Sequence, residues 1–202
     1  MRKPSCASSS KRSAVPITVR IGLLPHQKAF FDSRAKEVLF SGAFGAGKTR
    51  ALCYKVLQHA VHPGNFVGLC RKTYADLRAS TLATLLESEP PLEPVLPPGT
   101  YLHRRQDRTI SLRGGGAIYY FGFDRHQKLG SLNFGAVGID EGIELEEEEY
   151  VMLLGRLRRK ADPHRQIFTA TNPAGPTHFL YRRFFEHDRP DRAVVQASSY
   201  AN

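Results

Sequence analysis

Cysteine is scarce in this 202-residue chain: Cys6, Cys53 and Cys70 are the whole set. They form no close pair and no CxxC, which excludes a disulfide scaffold and a zinc ribbon and suits a reducing cytoplasm. No run of about 18 apolar residues occurs, so no transmembrane helix is expected. The first residues hold no apolar stretch of the kind a secretory signal requires. No internal repeat is visible. Acids are also in short supply, 19 against 29 bases, for a net charge of +10. Such an excess suggests a polyanion nearby, nucleic acid being the usual one, but does not say which face meets it. Hydrophobic residues make up 41% of the chain. A single domain of this length buries roughly 70% of its unfolded surface.

Residues 1–20 carry Arg2, Lys3, Lys11, Arg12 and Arg20 with no acid, and read as a flexible basic tail. That tail is either a solvated arm or an arm that binds DNA or a partner. Residues 21–202 read as the domain. Helices are expected at 26–33, 48–62, 73–88, 145–159 and 177–186. Strands are expected at 37–41, 66–70, 108–112, 117–121, 135–140, 166–171 and 193–197, the last as an edge strand. Gly114-Gly115-Gly116 marks a hairpin between 108–112 and 117–121. Strands alternating with helices predict an α/β fold with a largely parallel central sheet.

The sharpest motif is Gly42-Ala43-Phe44-Gly45-Ala46-Gly47-Lys48-Thr49, which matches GxxxxGK[ST] between a strand and a helix. Glycines let successive backbone N–H groups converge on phosphate oxygens. Lys48 is placed for the β- and γ-phosphates and Thr49 for Mg²⁺, with the helix N-terminus adding partial positive charge. A second motif, Val137-Gly138-Ile139-Asp140-Glu141, puts two acids at the end of a buried strand, where open parallel sheets bind ligands. Asp140 is the expected Mg²⁺ ligand. Glu141 is the expected base for an attacking water, which separates a hydrolase from a nucleoside kinase. Gln166 to Thr171 leads into Asn172-Pro173. Asn172 is placed either to sense the γ-phosphate or simply to form an Asx turn before proline. His59 and His62 have no third ligand beside them and suit a helix-end cap. Cys53 and Cys70 suit the core. Tyr119, Tyr120, Phe121 and Phe123 suit either base stacking or a sheet face.

Taken in order, these pieces resemble the large terminase subunit of tailed bacteriophages. The resemblance covers Leu24 to Glu186. It includes Leu24-Pro25-His26-Gln27 ahead of the P-loop, Arg71-Lys72-Thr73 with Leu77-Arg78-Ser80, and Lys128-Leu129-Gly130-Ser131 before Ile139-Asp140-Glu141. It continues through Leu153 to Arg158, Thr169 to Pro173, and Pro176 to Phe184. Two departures stand out: Ala43 and Phe44 where many relatives have a P-loop arginine, and Gly142 where alanine is more usual.

The resemblance implies a P-loop NTPase of the additional-strand, catalytic-glutamate type, with ATP and Mg²⁺ as cofactors. It implies that Gln27 reads the adenine edge, that residues 42–49 and Asn172 surround the nucleotide, and that Lys48 and Glu141 are catalytic. It further implies an arginine finger from a neighbouring subunit. Arg125 is preferred for that role over Arg104, Arg105, Arg156 and Arg158, with Lys128 a weaker cation. The implied function is translocation of double-stranded DNA into a procapsid. The implied partners are the portal protein, the small terminase subunit and further copies in a ring, a pentamer by expectation, with a monomer possible in isolation. The implied location is the host cell cytoplasm, and not the mature virion. The family's usual RNase H-like nuclease is not expected within these 202 residues, so no DNA cleavage is expected of the chain. The competing expectations are a helicase-like ATPase lobe and a non-hydrolysing, nucleotide-gated DNA-binding module.

Overall fold

The computed structural model describes residues 21–87, 92–125, 129–187 and 189–197. The expected basic tail, residues 1–20, lies outside them. Eight strands form one sheet in the order β3-β4-β5-β2-β6-β7-β1-β8. They are β1 (Glu37–Gly42), β2 (Phe66–Arg71), β3 (Tyr101–Arg104), β4 (Thr109–Leu112), β5 (Ala117–Gly122), β6 (Ala136–Ile139), β7 (Gln166–Thr171) and β8 (Arg192–Ala197). From β5 to β8 every pairing is parallel. The β4–β5 hairpin and β3 add two antiparallel pairings at one edge.

Strands β1 and β7 are buried at every position, which is why each reads as a nearly unbroken apolar run. Strand β3 was not expected. Tyr101, Leu102, His103 and Arg104 mix polarity, and every second residue is exposed, as suits an edge.

Helix α1 (Pro25–Asp32) and helix α2 (Lys48–Ala60) cover one face with α3. Helix α3 spans 74–86 and is not regular. An α-turn (Tyr74–Asp76) runs into a π-helical segment (Leu77–Leu82) and then a closing α-turn (Ala83–Leu86). The other face is covered by α4 (Glu147–Leu154) and by α5, an α-turn (Phe179–Tyr181) followed by a π segment (Arg182–Glu186). No described helix is long and apolar enough to cross a membrane.

Helix α4 is shorter than expected at both ends. Glu146 is its N-cap, and its backbone N–H donates to the Glu149 carboxylate. Beyond Leu154 the chain leaves the helix and bonds to Phe134: Phe134 N donates to Arg156 O, and Arg158 N to Phe134 O. Leu157 is thereby buried, and Arg156 and Arg158 sit at the start of β6 rather than on a last helical turn.

Buried polar groups tie the layers together. Glu37, at the start of β1, accepts from Arg183 at 2.6 and 2.9 Å, from Arg192 at 3.2 Å and from Tyr150 at 3.0 Å. Burial pushes its carboxyl up, but the guanidinium of Arg183, with Tyr150 and Arg192, holds it below the usual range. One side chain thus joins β1 to α4, α5 and β8. The side chain of His59 is not a helix-end cap, which corrects the sequence expectation. It is buried, Nδ1 lies 2.6 Å from Asp162, Nε2 lies 3.2 Å from Gln166, and its ring stacks on Phe168. Cys53 and Cys70 are fully buried, as expected. Tyr120, Phe121 and Phe123 are buried and Tyr119 packs against Phe66 and Phe134, so these aromatics fill the sheet.

Candidate nucleotide site

The P-loop, the acidic pair and Asn172 lie at the C-terminal ends of β1, β6 and β7. The loop after β1 turns through Gly45 (φ 79°) and Gly47 (φ 67°), both left-handed, before α2 begins at Lys48. A side chain at Gly47 would be strained by its backbone, and its Cβ would lie 2.4 Å from the Gln27 amide nitrogen. The loop leads into a cleft of about 720 Å³ lined by Phe44, Lys48, Thr49, Ser80, Thr84 and Glu141.

Lys48 is nearly buried. Its Nζ donates to Ala43 O at 2.8 Å and to Asn172 Oδ1 at 3.1 Å. Desolvation lowers its pKa, opposed by the charges of Glu141 and Asp140. Asn172 Nδ2 in turn donates to Glu141 Oε2 at 3.2 Å. Strand β7 is what allows this. Lying between β1 and β6, it ends with Asn172 between the P-loop lysine and the acidic pair.

Thr49 Oγ1 lies 3.2 and 3.3 Å from the two oxygens of Asp140. Hydroxyl and carboxylate are hard oxygen donors and fit Mg²⁺, which keeps waters and takes substrate phosphates for its remaining ligands. Among the described residues no group of three or more His, Cys, Asp or Glu gathers as a metal cage. Burial raises the pKa of Asp140 despite hydrogen bonds from Thr81 and Thr49. Burial also raises that of Glu141, with the charge of Asp140 adding to it.

Glu141 has φ 48° and ψ 55°, a left-handed conformation rare outside glycine. Strain of about 1–3 kcal/mol is held at such positions only when the surroundings demand it. Here the next residue is Gly142, where a Cβ would lie 2.2 Å from Thr169 Cγ2. Ile143 N donates to Thr171 Oγ1 at 3.0 Å, which pins the turn to β7. Thr169 therefore explains why glycine, rather than alanine, follows the acidic pair.

Gln27 has both amide ends engaged within the chain. Oε1 accepts from Leu24 N at 3.1 Å and Nε2 donates to Ala46 O at 3.0 Å, so it fastens α1 to the P-loop. Phe44 is 85% exposed, with Lys48 Nζ 5.9 Å from its ring centre. Of the arginines considered for a finger, Arg125 has its backbone in a short 3-10 turn (Phe123–Arg125) after β5, and its side chain lies outside the described residues, as does Lys128. Arg156 and Arg158 lie at the start of β6, away from this chain's own acidic pair. Arg105 borders a second cleft on the far side of α3.

Two residues beside the acidic pair were given no role there by the sequence reading. Arg71, at the end of β2, makes a paired bond to Glu144 (3.0 and 2.8 Å) and contributes positive potential to Asp140 and Glu141. Thr81 donates to Asp140 Oδ2 at 2.6 Å from inside α3. The cue for Arg71 was its place at a strand end; Thr81 had no cue, because a π segment rotates it towards β6.

The order of the strands settles the class. A single strand inserted between the P-loop strand and the acidic strand defines a P-loop NTPase fold of the additional-strand type. Within that class the chain belongs to the phage terminase large subunit family, whose pattern matches residues 34–202. It is 28% identical over 158 residues to the PBSX phage terminase large subunit of Bacillus subtilis (strain 168), covering 78% of this chain and 36% of that protein. Its fold resembles the large terminase of a thermophilic bacteriophage, solved in complex with ATP-γ-S. The TM-score is 0.70 at 19% identity, over 90% of this chain and 46% of that one. It also resembles the ATPase domain of the Thermus phage P74-26 large terminase, with a TM-score of 0.62 at 17% identity over 86% and 80% of the two chains. The chain thus spans about a third of the curated relative and about half of the terminase solved with ATP-γ-S.

Proposed function

We propose that the chain is the ATP-hydrolysing motor part of a large terminase and drives double-stranded DNA into a procapsid. The observation that carries this is the bonded series Lys48–Asn172–Glu141 beside the Thr49–Asp140 pair. The ATP-γ-S and ADP complexes of the thermophilic phage's terminase support ATP as ligand.

On nucleotide entry, Lys48 exchanges its bonds to Ala43 O and Asn172 Oδ1 for β- and γ-phosphate oxygens. Backbone N–H groups of 43–49 surround the phosphates. Thr49 and Asp140 would hold Mg²⁺, which when bound would offset the charge of the phosphates. Glu141 accepts a proton from the attacking water while the water oxygen bonds to the γ-phosphorus. The bond from that phosphorus to the bridging oxygen breaks, and ADP keeps the electron pair. When the γ-phosphate leaves, Lys48 regains its bond to Asn172, whose amide also holds Glu141, so the loss is felt at β7 and the segment beyond it.

Gln27, fastened to Ala46 O, sets the height of the loop and stands at the adenine side. Arg125 of a neighbouring copy supplies the finger, worth about 10³–10⁵ in rate. This reading implies a homo-oligomeric ring, the portal protein and small terminase subunit as partners, and the host cell cytoplasm as the place of work. Phosphate release measured across a range of protein concentrations, with and without duplex DNA, tests it. Turnover per subunit should rise with concentration and require Mg²⁺. Absence of Mg²⁺-dependent phosphate release at every concentration would contradict it.

A further inference from the structure

Helix α3 carries a hydrogen bond that the proposed chemistry has not used. Thr81 is fully buried, and its hydroxyl lies 2.6 Å from Asp140 Oδ2, closer than Thr49 lies to either oxygen of that carboxylate. Thr49, by contrast, lies almost equally far from both carboxylate oxygens, at 3.2 and 3.3 Å. We infer that Thr81 is a positioning residue for the cation site: it occupies Oδ2 permanently and so presents Oδ1 to the divalent ion. This rests on the nucleotide-hydrolase reading of the site.

The physical reason lies in what each hydroxyl must do. A hydroxyl that ligates a cation turns its lone pairs to the metal and its proton away. Once the ion is in place, Thr49 must divide its hydroxyl between the metal, which takes a lone pair, and whatever acceptor takes its proton. Thr81 faces Asp140 from the opposite element and has no such second duty. With the Thr81 proton on Oδ2 and a backbone hydrogen bond from Glu141 also reaching the carboxylate, the rotation of Asp140 is fixed. Partners behind a metal ligand commonly set its affinity in this way.

Thr81 is itself held on several sides. Its carbonyl is 3.7 Å from Cys53 Sγ on α2. The preceding residue, Ser80, accepts from Arg71 Nη1 at 2.9 Å and donates to Asp76 O at 2.8 Å. Arg71 is braced by its two bonds to Glu144. The π geometry of Leu77–Leu82 brings the adjacent residues Ser80 and Thr81 onto the ends of β2 and β6 together. Segments of this kind are rare and concentrate at functional sites.

The test is a fluorescence titration with a labelled ATP analogue, in EDTA and across Mg²⁺ concentrations, on wild type, Thr81→Val and Thr81→Ser. Affinity in EDTA should match in all three. The gain that Mg²⁺ confers should need about tenfold more Mg²⁺ in Thr81→Val. Thr81→Ser, which keeps the hydroxyl, should follow wild type. Should Thr81→Val fail to fold, Thr81→Ala is expected to show the same loss of Mg²⁺ response. An unchanged Mg²⁺ response in the variant lacking the hydroxyl would overturn the inference alone. Equal loss in Thr81→Ser would also overturn it, since packing of the methyl group would then be the cause. A wild type that binds no nucleotide would overturn the functional reading and this inference with it.

Discussion

Asn172 accepts from Lys48 Nζ through one end of its amide and donates to Glu141 through the other, so the P-loop and the acidic strand are joined by one side chain. An amide does this with no change of charge. Asn172→Ala should leave nucleotide affinity nearly intact and lower kcat by about 10–100-fold, a part of the 10²–10⁴ that a positioned general base supplies. Steady-state phosphate release alongside a binding titration separates the two quantities.

Gly142 and Thr169 compete for one space, since a Cβ on the glycine would lie 2.2 Å from the threonine methyl. Gly142→Ala should destabilise the fold by about 1–3 kcal/mol, as overpacking does. Adding Thr169→Ser removes the methyl and should restore more than about 0.5 kcal/mol through coupling. Urea unfolding of the two single variants and the double variant measures this.

Lys55 is buried, and among the described residues no carboxylate is bonded to it. Its Nζ donates to Phe31 O and Ser33 O, both at 3.0 Å, and lies over the rings of Phe30 and Phe168. Desolvation, with the charge of Arg34, lowers its pKa to about 7. The unfolded chain then binds this proton more tightly than the folded one. Below pH 7 the destabilisation is complete, and it is lifted as pH rises from 7 towards the ordinary lysine value. Relative to Lys55→Met, wild-type stability should rise with pH across that window by up to about 1.4 kcal/mol per unit. A flat difference between pH 6 and 9 would show that the amine titrates normally.

Glu37 neutralises Arg183 and Arg192 and accepts from Tyr150 at the start of β1. Glu37→Gln leaves two largely buried guanidiniums without their charge partner and should cost about 3–5 kcal/mol. Thermal and urea unfolding report this directly. Loss below about 1 kcal/mol would mean that α5 and β8 are held chiefly by their apolar contacts.

Most of the fold was legible because its parallel strands are buried on both faces and stand out as apolar runs. Walker-type residues were legible because glycine, lysine and paired acids are tied to backbone geometry and charge at fixed spacing. The edge strand β3 was not, since its half-exposed residues carry mixed polarity. The true extent of α4 was hidden because Phe134, distant in sequence, takes the backbone bonds that would have continued the helix. His59 looked like a cap until Asp162, Gln166 and Phe168 were brought to it by the fold. Thr81 and Arg71 act through neighbours on other strands, and pairings across the sheet leave no local pattern.

Glu141, held left-handed at the end of β6, is proposed as the base that activates water. Phosphate release by wild type and Glu141→Gln, each at concentrations where nucleotide binding is saturated, tests it most directly. Glu141→Gln should bind ATP as tightly as wild type and release phosphate about 10²-fold or more slowly. Equal rates of release in the two proteins would contradict it.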